Sequence, residues 1–202
     1  PCRKGRRARE GRLQGAPGDI NPYYDKTPRQ EDAVNVMRQT GRKLGEEVLR
    51  VARGIQTKVP AAPRIQSKTV VVNSVSRWDV PKVRSMIQQR YKLDPIRAAR
   101  LLRETMEMPV TALLLNEELA FVTMPGEVFV EFQMQLRALS PFPRTYFMGY
   151  TNGTFGYFPT IAAAVRGGYG ANSTATQVEV GAGERMLNVG LASLYEMTGK
   201  LK

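Results

Sequence analysis

Whatever chemistry this chain performs by itself has to be done with oxygen. Its 202 residues include no histidine, which removes the Ser-His and Cys-His nucleophile pairs and the histidine-based zinc motifs from anything it does alone. Cys2 stands alone, so neither an intrachain disulfide nor a cysteine metal cluster can form. Carboxylates and phenols remain. Glu127 follows the apolar run "LAFVTM" through a tight Pro125-Gly126 corner. That pattern predicts a carboxylate at the C-terminal end of a strand and in the first turn of a helix, where α/β proteins place ligands. The same carboxylate would also complement a helix dipole with no further role. Tyr157 comes after a strand and an Asn-Gly turn, and reads either as a rim aromatic with a satisfied hydroxyl or as a phenol held beside a charge. In the second case it serves as a metal ligand or as a donor to a developing oxyanion. Tyr169 lies in "RGGYGAN", where flanking glycines permit close approach of the backbone to a ligand; its plainer reading is a loop aromatic.

These three side chains need elements to position them. "GAPGDINP" (Gly15 to Pro22) is a loop by its Gly, Pro, Asp and Asn content. Thr27 as N-cap, Pro28 at the first helical position and Gln30 closing a capping box predict a helix over about 28–54. Ala33, Met37, Leu44, Val48, Val51 and Ile55 then follow helical spacing. "SKTVVVNSV" predicts a strand, and two polar, basic helices follow near Pro81–Arg90 and Pro95–Met106, expected to cover a sheet edge. "VTALLLN" and "LAFVTM" predict a hairpin, "PGEVFVEFQMQLRAL" a helix, "RTYFMGYTN" a further strand, and "GERMLNVGLASLYEMTGKL" a last amphipathic helix opening on a Gly-rich turn. Strands alternating with helices give an α/β fold, a layered mixed sheet covered by helices.

The net charge of +12 raises nucleic acid or an anionic membrane as a partner. Its distribution argues against nucleic acid. Residues 1–12, "PCRKGRRAREGR", carry six basic residues and one acidic one, and so short a basic arm reads as a solvated or foreign leader. The N-terminus lacks the apolar core of a signal peptide, and no apolar run approaches the roughly 18 residues a membrane span needs.

Taken in order, "GAPGDINP", "GRKLGEEVLRVARGI", "LAFVTMPGEVFVEF" and "GYTNGTFGYFPT", with Tyr169 beyond them, resemble the C-terminal half of the catalytic domain of the neutral/alkaline (non-lysosomal) ceramidase family. The resemblance covers about residues 13–202. It implies a zinc hydrolase that cleaves the N-acyl amide of ceramide to sphingosine and a fatty acid, with a lipid amide as substrate and a membrane surface as a contact. The family's metal is held by two histidines, a glutamate and a tyrosine. Carried over, the glutamate ligand is Glu127 and the tyrosine ligand is Tyr157, closing "NGTFGY" where the family has Asn-x-Tyr-x-x-Tyr. The second active-site tyrosine is Tyr169, as the donor to the oxyanion. The family's signature serine falls on Asn21 in Gly18-Asp19-Ile20-Asn21-Pro22. An amide cannot act as a nucleophile, but it can orient a substrate by hydrogen bonds.

Thr154 replaces the first tyrosine of the family motif, and "YGANST" is a shortened form of its "YEGAST". Both family histidines lie upstream of the "GDINP" segment. The expectation is therefore an incomplete domain, 13–202, of a ceramidase-like amidohydrolase, inactive by itself, from a family whose members are often secreted or periplasmic. Two alternatives stay open: a divergent, non-enzymatic member binding an amphipathic ligand or a partner, and a basic module binding nucleic acid or anionic lipid through residues 1–12 and the 82–103 helices.

Overall fold

The computed structural model describes residues 11–22, 28, 31–56, 62–79 and 81–201. They belong to two units: one takes in the chain up to Ile20 and again from Arg64 onward, the other is Asn21–Pro63. The second unit is built on helix α1 (Ala33–Gly54). Its apolar positions Met37, Leu44, Val48 and Val51 keep helical spacing, yet all are exposed. The helix starts at Ala33 and not at Pro28, because Asp32 sits in the left-handed region (φ 60°) and offers no side-chain cap. A residue there cannot continue a right-handed path. The expected cap residues Thr27 and Gln30 fall outside the described residues, as do residues 1–10 of the basic arm.

In the first unit the expected α/β arrangement forms around a mixed sheet. Strand β1 (Ile65–Val75) pairs antiparallel along its whole length with β2 (Thr105–Leu115), from Ile65↔Leu115 to Val75↔Thr105. A hairpin then leads to β3 (Leu119–Thr123), its turn made by Asn116 and Glu117 with φ of 51° and 61°. Positive φ at both central residues suits the right-handed twist of the flanking strands. Beyond β3 come a two-residue strand β4 (Glu127–Val128), helix α4 (Val130–Leu139) and strand β5 (Arg144–Met148), which pairs parallel with β3. The sheet order is β1-β2-β3-β5. A second, two-stranded sheet joins β4 to β6 (Tyr157–Phe158). Short helix α5 (Ile161–Arg166) and the closing helix α6 (Ala182–Met197) complete the unit.

Between β1 and β2 lie α2 (Pro81–Tyr91) and α3 (Pro95–Leu101). The second of these was expected to reach Met106. Thr105 and Met106 instead open β2, whose burial alternates through Met106, Met108, Val110, Ala112 and Leu114. A period of two with β-branched residues suits a strand, and pairing with β1 supplies the backbone partners that a helix would otherwise give. The two helices also do not line a sheet edge: Ile87, Ala98 and Leu102 close around Trp78 in a small core of their own.

The main core lies between the sheet and helices α4 and α6, with Met108, Val110, Val122, Phe132, Leu136, Met186 and Leu194 fully enclosed. Each large apolar side chain so buried contributes about 1.5–3 kcal/mol. Helix α6 lies so close to the sheet that a Cβ on Gly190 would stand 2.6 Å from a Val122 methyl. No helix among the described residues is long and apolar enough to cross a membrane.

Candidate functional site

Strands β3 and β5 run parallel, and both chains continue past their C-terminal ends into the site. The backbone from β3 turns sharply at Pro125-Gly126. Gly126 has φ 150°, and a Cβ there would meet the Gly156 carbonyl oxygen at 2.6 Å. Only glycine suits that turn. The chain then lies against β6: Glu127 N–H donates to Gly156 O (2.9 Å), Phe129 N–H to Phe158 O (3.1 Å), and Glu127 and Tyr157 are register partners in a parallel pair.

This corrects the expectation that Glu127 opens a helix. It belongs to β4; α4 starts at Val130, and the acid in the first turn of that helix is Glu131. Complementing the helix dipole therefore falls to Glu131, which leaves the partly buried Glu127 carboxylate for other work.

The residues around "GAPGD" hold this corner from outside. The N-cap position of α4 is Phe129, whose side chain has nothing to accept the free N–H groups of the first turn. Asp19 does so from far away in sequence, its Oδ1 accepting from Val130 N–H at 2.7 Å. Gly18 N–H donates to Val128 O (2.9 Å), Ala16 N–H to Gln133 Oε1 (3.0 Å), and Gly149 N–H to Gln14 O (2.9 Å). A Cβ on Gly18 would stand 2.5 Å from the Glu127 carbonyl oxygen. The loop thus acts as a strap across β4 and the start of α4.

Tyr157 is fixed from its other side, its N–H donating to Ala175 O at 3.1 Å. Tyr169 begins a 3-10 turn, Tyr169–Ala171, and meets Tyr157 edge to face, with ring centroids 5.4 Å apart and planes at 75°. Of the glycines flanking Tyr169, Gly170 serves packing and not a ligand: a Cβ there would come within 2.9 Å of both the Tyr157 and Phe129 rings. Tyr169 itself is 74% exposed, a phenol available to solvent or substrate.

The structure thus brings Glu127, Tyr157 and Tyr169 together. Asn21, exposed, belongs to the second unit.

Sequence reasoning missed Tyr150. It follows β5 as Glu127 follows β3, so parallel pairing brings both to one end of the sheet; its N–H donates to Gly126 O (3.2 Å) and its φ is 52°. A non-glycine residue held in the left-handed region costs about 1–3 kcal/mol and persists where the surroundings dictate it. The available signal was that two residues just past adjacent parallel strands share one crevice.

Glu127 acts on two phenols at once. Tyr157 holds its proton well above the usual phenol range, first through burial of the ring, then through its hydrogen bond to Glu127 and that residue's negative charge, with Tyr169 adding a smaller effect. Tyr150 is shifted upward as well, by burial, then by the Glu127 charge and hydrogen bond. Both phenols are therefore neutral donors at physiological pH.

As a zinc site, this donor set fits in part. One carboxylate and one phenol at paired positions are acceptable oxygen ligands for a divalent cation. Among the described residues no group of three or more His, Cys, Asp and Glu can hold a metal ion. Imidazoles would have to come from outside this sequence.

The chain matches no family model, no curated protein and no solved structure.

Proposed function

We propose that this chain carries half of the active site of a ceramidase-like zinc amidohydrolase, which hydrolyses the N-acyl amide of ceramide or a related lipid amide. The observation that carries the reading is the pairing of Glu127 with Tyr157 across β4 and β6, with Tyr169 edge-on to Tyr157. Three residues singled out by the resemblance meet there, although they span 43 positions of sequence.

In the reaction the amide C–N bond breaks and the oxygen of water joins the acyl carbon. The acid proton passes to the departing nitrogen, leaving a carboxylate and an ammonium. Glu127 and Tyr157 would hold the zinc, with two imidazoles from beyond this sequence. The ion would supply polarisation of the carbonyl and a lowered pKa for water. Glu127 provides the negative charge that a cation needs. Burial and the neighbouring carboxylate hold the Tyr157 proton in place, and a cation held there would oppose both effects. Tyr169, exposed and backed by the Tyr157 ring, donates its hydroxyl to the carbonyl oxygen as negative charge develops on it. Tyr150 offers the Glu127 carboxylate a second phenol hydroxyl.

The test is zinc retention and amide hydrolysis in the protein supplied with the missing imidazoles, or in this chain with added imidazole. Wild type should retain zinc in an imidazole-dependent way and turn over an N-lauroyl amide. Glu127→Gln should lower both by roughly 100-fold or more. Metal content and turnover untouched by Glu127→Gln would overturn the proposal. Zinc retained without hydrolysis of any amide would favour the second reading, a divergent binding protein, which Asn21 in the serine position supports.

A further inference from the structure

A cavity of about 190 Å³ opens directly beside the tyrosine pair. Tyr157 and Tyr169 form one wall; Trp78, Arg90, Tyr91 and Gln177 form much of the rest. Its volume lies below the 300–1,000 Å³ usual for pockets that enclose a drug-sized ligand, so it takes part of a molecule and not the whole. The composition of the walls says which part. A long acyl chain is matched by aliphatic side chains, whereas this space offers flat aromatic surfaces and the polar side chains of Arg90, Thr174 and Gln177.

The Arg90 guanidinium and the Gln177 side-chain amide make no hydrogen bond or ion pair among the described residues, whereas two other polar side chains of the wall are bonded. Trp78 donates Nε1–H to Ser173 O (2.8 Å), and Thr174 is bonded to Asn172. No acidic side chain lines the cavity. Arg90 closes the last turn of α2 and presents a planar, cationic fork that matches a carboxylate.

We propose that this cavity is the subsite for the amine half of the substrate, and that it selects an anionic amine half: an N-acyl amide whose nitrogen side carries a carboxylate, as in an N-acyl amino acid, with that carboxylate on Arg90 and Gln177 donating beside it. The aromatic walls cover the short linker between carboxylate and amide. As a substrate assignment this rests on the hydrolase reading; as a binding assignment it stands apart from it.

Trp78 is the one tryptophan of the chain, so its emission reports occupancy of this cavity without need of zinc or turnover. The chain is titrated with N-lauroylglycine and with the neutral, near-isosteric N-lauroylglycinamide. The expected result is saturable change of Trp78 emission with the acid at concentrations roughly tenfold or more below those for the amide, as charge-assisted pairing with a guanidinium implies. In Arg90→Gln, an exposed position that leaves the fold intact, that preference should fall to near unity. Equal response to the two ligands, a preference surviving in Arg90→Gln, or no saturable change with either overturns the proposal. The expected binding pattern combined with no hydrolysis of any N-acyl amide would sink the hydrolase reading alone. Hydrolysis indifferent to the head-group charge and to Arg90 would sink the subsite alone.

Discussion

Helix α1 and the corner at Glu127 are opposites in how they are specified. The helix runs for 22 residues with strong amphipathic spacing, and none of its residues is buried. The corner has a strand of two residues, paired with another of two, and is fixed from four separate stretches of chain: 14–19, 124–130, 149–157 and 170–175. Local periodicity is enough to make a helix, because its hydrogen bonds close within four residues. Chemistry here depends on partners more than 100 positions apart, such as Asp19 with Val130, and no local period encodes those.

The largest expected effect of that difference lies in the glycines. Gly126→Ala places a methyl 2.6 Å from Gly156 O and from the Phe158 ring, at a backbone angle that side chains rarely adopt. It should destabilise the first unit by about 3 kcal/mol or more, strain and overpacking together. Gly41→Ala in α1 meets nothing within 4 Å and should stabilise its helix by about 0.5–1 kcal/mol. Urea unfolding of the two variants, followed by circular dichroism, checks both signs. Equal small effects would mean that the corner is looser than its backbone bonds imply.

Where the sequence was legible, its signals were local. The hairpin, its turn falling one residue earlier than the expected Glu117-Glu118, the strand through Val70–Val72, the last helix after its Gly-rich turn and the mixed α/β class all follow from turn chemistry and period. The end of α3 was misplaced because "RETMEM" has helical composition, while pairing of Thr105 and Met106 with β1 decides otherwise. Glu127 was expected in a helix because an acid after Pro-Gly resembles a first turn. Its strand pairing depends on Gly156, twenty-nine residues on. Tyr150 escaped for the same reason: neither its own surroundings nor its spacing marks it, and only the parallel alignment of β3 with β5 brings it to Glu127.

Tyr150→Phe sharpens the contrast at the level of function. It removes one hydroxyl from Glu127 and keeps the ring, so the fold should be unchanged. If the zinc reading is right, metal affinity or turnover should drop roughly 10–100-fold, the usual cost of losing a partner that orients a ligand. Calorimetric zinc titration beside thermal unfolding separates the two, and a fall in stability with metal affinity intact would make Tyr150 a packing residue. A smaller effect is expected at the strap. Asp19→Ala withdraws the acceptor from Val130 N–H and should cost about 1 kcal/mol, typical of a lost helix cap. Amide exchange at the first turn of α4 should rise with it. Exchange unchanged there would mean that another acceptor takes over.

Glu179 gives the smallest effect and the one most sensitive to pH. Like the corner, it depends on distant partners: Oε1 accepts from Val75 N–H (3.0 Å), Ser74 Oγ (2.9 Å) and Arg185 (2.7 Å), tying β1 to the start of α6. The Val75 N–H bond does most to hold its carboxyl below the ordinary value of 4.5; burial opposes this, and Arg185 and Ser74 add to the lowering. A carboxyl whose pKa is depressed by folding contributes stability that is fully present above the unfolded value and is lost as pH falls through the folded one. Glu179→Gln should therefore be less stable than wild type by a constant amount at pH 5–7, with the gap closing below about pH 4.5. The side chains of Glu179 and Arg185 are 37% and 43% exposed, so solvent screening limits the gap to about 1 kcal/mol. Urea midpoints measured across that range decide it. A gap that persisted unchanged well below the folded pKa would mean that the clamp works through shape and neutral hydrogen bonds. The distant contacts of the first unit would then be held by packing, as at Gly126, and not by charge.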